Sequence, residues 1–79
     1  MAVGVKLPEI SMGVTEATIV NWLKAVGDRV EAGEPLVEVE TAKSTVEVES
    51  PASGTLIEIV AAIDEEIEVG TVIAKIQQD

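Results

Sequence analysis

Lys43 is the residue of this sequence best suited to take part in chemistry. It lies at the centre of the segment VEVETAKSTVEVE, residues 37–49, in which valine and glutamate alternate on both sides of it. A primary amine on a flexible alkyl stem is a good target for acylation. Most lysines in turns, however, are solvated charges that only discourage strand pairing. The predicted structure around Lys43 is therefore needed to distinguish an acylation target from a solvated charge.

The alternation around Lys43 predicts a β-hairpin, because opposed residues of two antiparallel strands share one face of a sheet. The tip would be Ala42-Lys43, flanked by Thr41 and Ser44, with valines forming a buried face. Two-residue tips favour Asn-Gly. Ala-Lys is a poor choice for turn stability, and we expect another demand to fix the lysine there. The predicted pairs are Val39 with Val46, Val37 with Val48, Glu38 with Glu47, and Glu40 with Thr45.

The hairpin lies between the two halves of an internal repeat. Residues 18–40 align without a gap with residues 55–77, and Gly33 meets Gly70 in this alignment. Both glycines lie between apolar runs, where a turn with positive φ is expected. The turn at Gly27-Asp28 has lost its glycine in the second half, where its repeat partner is the segment Ile63-Asp64-Glu65-Glu66. We expect that loss to change the second turn.

Strand and turn signals throughout the chain predict an all-β fold. Val and Ile dominate the apolar residues, Phe and Tyr are absent, and Trp22 is the only aromatic residue, a composition that favours strands. The repeat predicts a flattened barrel or sandwich of two roughly four-stranded antiparallel sheets with quasi-two-fold symmetry, a barrel-sandwich hybrid. The predicted strands are 3–7, 17–23, 29–31, 36–40, 45–49, 54–60, 66–68 and 72–76.

Composition excludes several classes of function. The chain has 79 residues, enough for one domain, and contains neither Cys nor His, so thiolate catalysis and the commonest metal ligand are absent. We expect no metal site. Its net charge of −10 argues against binding to nucleic acid or to anionic membranes. We interpret Trp22 as a packing residue, and the glutamates of the hairpin as a solvated face that could steer the domain toward basic partners.

The segment Glu40-Thr41-Ala42-Lys43-Ser44 resembles the attachment motif of lipoyl domains, which belong to the E2 acyltransferase components of 2-oxo acid dehydrogenase complexes. Gly27, sixteen residues before the lysine, and Gly54, eleven after it, also match the family pattern. The resemblance covers nearly the whole chain. It includes the segments KLPEI, TIVNW, GDRV and SPASG, at residues 6–10, 18–22, 27–30 and 50–54.

The resemblance implies that Lys43 carries lipoic acid through an amide bond and that the domain itself is not an enzyme. The lipoylated lysine would act as a swinging arm between a decarboxylase (E1), an acyltransferase core (E2) and dihydrolipoamide dehydrogenase (E3), after modification by a lipoate ligase or lipoyl transferase. Residues 1–79 would be one monomeric carrier domain, the N-terminal domain of a longer E2 chain. We expect a bacterial cytoplasmic or a mitochondrial matrix location, with no nucleic-acid or membrane partner.

Two further implications concern the surroundings of the lysine. The usual family turn is Glu-Thr-Asp-Lys-Ala, so Ala42 and Ser44 are departures, and we expect Ala42 to affect partner choice. The segment 8–16 would lie near the turn and either help partner enzymes to recognise the domain or serve as a simple connector. Two alternatives remain: a biotinyl carrier, whose site is typically Met-Lys-Met, and an unmodified acidic β-domain that only binds partners.

Overall fold

Eight β-strands form in the computed structural model, which describes residues 1–10 and 12–78. All eight predicted strands are present, and their bounds differ from the prediction by at most two residues. The described residues contain no helix. The strands are β1 (Ala2–Lys6), β2 (Glu16–Trp22), β3 (Arg29–Val30), β4 (Pro35–Glu40), β5 (Thr45–Glu49), β6 (Gly54–Ile59), β7 (Glu66–Glu68) and β8 (Val72–Gln78).

The strands form two four-stranded sheets. The first, which we call the terminal sheet, has the order β1-β8-β6-β3, and the second, the lysine sheet, has the order β5-β4-β2-β7. Every strand pair is antiparallel. Within the described ranges no strand pairing joins one sheet to the other, so the fold is a sandwich of two sheets rather than a closed barrel.

The internal repeat corresponds to a quasi-two-fold relation between the sheets. Exchanging β2, β3 and β4 with β6, β7 and β8, and β5 with β1, converts one strand order into the other. Irregularities of register follow the same relation, because the β2–β4 ladder shifts at Val20 and the β6–β8 ladder at Ile57. The aligned residues Gly33 and Gly70 have φ values of 87° and 93°, as predicted.

The turn at Asp64, which lacks the glycine of its counterpart in the first half, has the same backbone structure as the turn at Gly27. Gly27 has a φ of 99°, and the aligned Asp64 has a φ of 72°. Their backbone N–H groups donate equivalent bonds, from Gly27 to the Leu56 carbonyl and from Asp64 to the Ile19 carbonyl, each 2.7 Å long. The expectation that this turn changes is wrong. Aspartate tolerates the left-handed region better than most residues, and so the chain keeps the same turn.

The core lies between the sheets and is built from aliphatic side chains of both halves. Trp22 is half-buried against this core, and its Nε1–H donates a 2.9 Å hydrogen bond to the Ala61 carbonyl. That bond joins the first half of the chain to the second, so the interpretation of Trp22 as a packing residue is confirmed. The largest fully buried side chains are Leu7, Ile19, Leu36, Leu56, Ile73, Ile76, Val5, Val30, Val37 and Val39.

Candidate modification site

The β4–β5 hairpin has the register predicted from its valines. The four predicted pairs are all present, including Val39 with Val46 and Val37 with Val48. Three of these valines are buried, and Val46 is half-buried against the core. The burial of one hairpin face anchors both strands and fixes which residues can occupy the tip, because a slip of one residue would expose all four valines.

Residues 41–44, which we call the lysine turn, close the hairpin through the side chain of Thr41. The Thr41 N–H donates to the Ser44 carbonyl at 2.8 Å. In return, the Thr41 hydroxyl oxygen accepts from the N–H groups of Lys43 and Ser44, at 3.2 Å each, and its O–H donates to the Ser44 carbonyl at 3.1 Å. One hydroxyl therefore satisfies several backbone groups of the turn, a role for which threonine and serine are suited.

This arrangement explains how Ala42-Lys43 can form the tip. Among the described residues, Asp64 is the only non-glycine with a positive φ, so neither tip residue adopts the left-handed conformation for which Asn-Gly is favoured. Ala42, Lys43 and Ser44 are all exposed, whereas Thr41 is half-buried. The lysine amine is thus presented to solvent on a turn whose backbone is held by hydrogen bonds.

A groove with a volume of about 450 Å³ adjoins the lysine turn, and Lys43 forms part of its wall. The segment before β2 contributes Gly13, Val14 and Thr15, so the end of the predicted segment 8–16 lies near the turn, while Ser11 of that segment lies outside the described residues. The other lining residues belong to β2, to the end of β4 with the turn, and to β7. They are Glu16, Ala17, Thr18, Glu40, Thr41, Ala42 and Glu66.

Sequence reasoning missed the contributions of β2 and β7 to this groove. Thr18 lies opposite Glu40 on one side and opposite Glu66 on the other, so three strands supply one row of side chains. The prediction gave strand positions but no strand order within each sheet. The repeat alignment alone contains no signal that brings Glu66 to the lysine turn.

The two family-pattern glycines lie outside the lysine turn and do not line its groove. Gly27 occupies the turn before β3, and Gly54 begins β6, where it pairs with Val30 and Gln78. A Cβ atom on Gly54 would overlap the backbone of Gln77. These glycines therefore allow the fold that carries the lysine turn, and they contribute no atom to its surface.

The acidic residues of the hairpin line its solvent side. Glu40, Glu47 and Glu49 are exposed, and Glu38 is half-buried and accepts a 3.4 Å hydrogen bond from the Asn21 amide. Nowhere in residues 1–10 and 12–78 do three His, Cys, Asp or Glu side chains meet in a group that could hold a metal ion. The described part of the chain also forms no helix long and apolar enough to cross a membrane.

Comparison with known proteins agrees with this geometry. Residues 3–76 match the Biotin_lipoyl family, described as "Biotin-requiring enzyme". The chain belongs to this biotinyl/lipoyl attachment family. It is 53% identical over 75 residues to the dihydrolipoyllysine-residue acetyltransferase component of the pyruvate dehydrogenase complex of Corynebacterium glutamicum. That match covers 95% of this chain and 11% of the relative, so the chain spans about a tenth of the relative's length.

Solved structures show the same fold. The lipoyl domain of the 2-oxoglutarate dehydrogenase complex from Azotobacter vinelandii has a TM-score of 0.75 and 28% identity, with 96% of each chain covered. The urea carboxylase of Kluyveromyces lactis has a TM-score of 0.83 and 25% identity, covering 98% of this chain and 6% of that one. Both structures therefore share the fold of this chain. The relatives of high identity are E2 components of 2-oxo acid dehydrogenase complexes, which makes this a lipoyl-type domain.

Proposed function

We propose that the chain is a lipoyl carrier domain and that Lys43 Nζ is the atom that forms an amide bond with lipoic acid. The observation that carries this proposal is an exposed primary amine at the tip of a hairpin whose turn is closed by Thr41. An enzyme can reach such an amine without unfolding any part of the domain. The open groove beside it leaves room for an attached alkyl chain.

The residues of this chain would hold and present the arm rather than perform catalysis. When bound, the lipoyl group supplies a dithiolane that can carry acyl groups and electrons, as cofactors supply the difficult chemistry in other proteins. The buried hairpin face fixes the direction from which the arm leaves the domain. Attachment to a common assembly raises the effective concentration of the arm at each partner.

The proposed partners are a 2-oxo acid decarboxylase, an acyltransferase core, dihydrolipoamide dehydrogenase, and a lipoate ligase or lipoyl transferase. These enzymes would recognise the residues that surround the lysine, which are Glu40, Thr41, Ala42 and Ser44. Residues 1–79 would be one carrier domain at the N-terminus of a longer acyltransferase chain, in a bacterial cytoplasm or a mitochondrial matrix. As an isolated domain it would be monomeric.

The residues beside the lysine favour lipoate over biotin. Biotinyl sites typically read Met-Lys-Met, whereas Ala42 and Ser44 flank Lys43 here. The relatives of high identity carry the word dihydrolipoyllysine in their names, which supports the same choice. An unmodified binding domain is the remaining alternative, in which Lys43 would be a solvated charge at the end of the hairpin.

Competition between two modifying enzymes tests the proposal. The chain is expressed with a lipoate ligase and a biotin ligase, with both cofactors supplied, and its intact mass is measured. We expect the mass increase of one lipoyl group, and we expect no increase in Lys43→Ala. A circular dichroism spectrum equal to that of the wild type would show that the variant is folded. A biotinyl increment, or an unchanged mass with both ligases active on control substrates, contradicts the proposal.

A further inference from the structure

The lysine groove contains the attachment residue in its own wall. Lys43 is therefore tethered beside a concave surface of about 450 Å³, a volume within the range of pockets that bind small molecules. We propose that this groove binds the distal part of the lipoyl arm, so that the domain holds its own prosthetic group between encounters with partners. The inference rests on the proposed function, and it adds a resting position to an arm otherwise free to swing.

The chemistry of the lining suits an alkyl chain that ends in a sulfur-containing ring. Val14 and Ala42 supply apolar side chains to this lining, and three threonines, Thr15, Thr18 and Thr41, lie beside them. Removal of apolar surface from water drives such binding without specific directional contacts. Val14 is half-buried and Ala42 is exposed, so both have apolar surface that a bound arm would cover.

The glutamates that line the groove favour a neutral group over an anionic one. Glu16, Glu40 and Glu66 all line the groove, and Thr18 lies between Glu40 and Glu66 in the row of strands. An anionic chain would be repelled by these carboxylates. Amide formation at Lys43 removes the positive charge of the amine, and the oxidised dithiolane is uncharged. The whole arm is then neutral and meets no electrostatic barrier at the rim.

Ala42 and Ser44 differ in their relation to the groove, although both are next to Lys43. Ala42 lines the groove, whereas Ser44 does not. Both side chains are exposed, and the side chain of Ser44 makes no hydrogen bond within the turn. An aspartate at either position would add the same charge at the same distance along the chain from the lysine, but only the one at position 42 would face the arm.

Nuclear magnetic resonance of the lipoylated chain tests this inference. Amide spectra are compared before and after lipoylation, which intact mass verifies. We expect shifts at residues 13–18 and at Glu66, which are distant in sequence from Lys43. We also expect nuclear Overhauser contacts between the dithiolane protons and the Val14 methyl groups. Shifts confined to residues 41–45, with no such contacts, would overturn the inference.

A matched pair of variants separates binding in the groove from a general effect of charge. Ala42→Asp should reduce the shifts at Val14 and Glu66 on lipoylation by at least half, because it places a carboxylate in the lining. Ser44→Asp should leave them within experimental error of the wild-type values. Equal effects of the two variants, or no effect of either, would contradict the inference.

A second route makes the test independent of the modifying enzyme. The chain has no cysteine, so Lys43→Cys introduces a single thiol. Alkylation with an iodoacetamide that bears a dithiolane-ended alkyl amide places a comparable arm at the same position. If a ligase fails to lipoylate the native chain, the proposed function fails. The alkylated variant still reports whether the groove binds the arm, through the same shifts at Val14 and Glu66.

Discussion

Replacement of Gly54 by alanine should destabilise the domain strongly, because the backbone of β8 occupies the space that a side chain would need. An ideal Cβ at this position would lie 2.8 Å from the carbonyl carbon of Gln77 and 3.0 Å from the Cα atom of Gln78, and it would overlap the Gln77 carbonyl oxygen. All three are backbone atoms and cannot rotate away. Either β6 or β8 has to move, and Gly54 also pairs with Val30 of β3.

The size of the effect follows from the cost of overpacking. Forced shifts of a well-packed backbone cost about 1–3 kcal/mol. Because these contacts are with the backbone, we expect a loss near the upper end, about 3 kcal/mol, in the free energy of unfolding. A domain of this length has a total stability of about 4–12 kcal/mol. With a urea m-value of about 1 kcal/mol/M, the midpoint should fall by about 3 M.

Urea unfolding followed by the fluorescence of Trp22, the only aromatic residue, provides the assay. Gly4→Ala is the matched control, since a Cβ there would meet only the Val72 side chain, at 3.4 Å. Gly4 is an exposed residue of β1, and its substitution should change stability by less than about 0.5 kcal/mol. A Gly54→Ala midpoint within about 0.5 M of the control would refute the reasoning.

Three other perturbations have expected outcomes. Thr41→Val removes the hydroxyl that closes the lysine turn and should lower the unfolding free energy by about 1 kcal/mol in urea titrations, whereas Thr45→Val should not; equal losses would contradict this role. Asp64→Gly should raise the free energy of unfolding by about 1 kcal/mol, and with it the thermal midpoint, because glycine takes a positive φ without strain. A lower thermal midpoint for the variant would count against this explanation. The hydrogen bond from Lys24 to Glu34, 2.9 Å long, lowers the pKa of the Glu34 carboxyl, so its stabilisation is present at neutral pH and lost as the pH falls through that pKa. The stability difference between the wild type and Glu34→Gln, measured in urea at several pH values, should therefore narrow in acid, and a constant difference would exclude this coupling.

The hairpin that carries the lysine could be predicted because its information is local. Alternation of valine and glutamate on both sides of Lys43 fixes the register, since a slip by one residue would expose the valines. The groove could not be predicted, because it depends on the order of strands within the lysine sheet. Glu66 reaches the lysine turn only through the pairing of β7 with β2.

The turn at Asp64 shows a different limit of sequence reasoning. The absence of glycine suggested a changed turn, but the hydrogen bonds of the turn at Gly27 recur there. Pairing on both sides of the turn over-determines the backbone, and aspartate accepts the left-handed conformation that results. The family pattern marks Gly54, and the structure shows that the β8 backbone approaches this position too closely for a side chain.

The most direct test of the proposed role of Lys43 is to locate the modification by tandem mass spectrometry of peptides from the chain lipoylated in cells. The chain has four lysines, Lys6, Lys24, Lys43 and Lys75. A reagent that does not recognise the folded domain could acylate all four. We predict a lipoyl group on Lys43 alone and no modified peptide from Lys43→Arg. A lipoyl group on another lysine, or a biotinyl group on Lys43, would contradict the account.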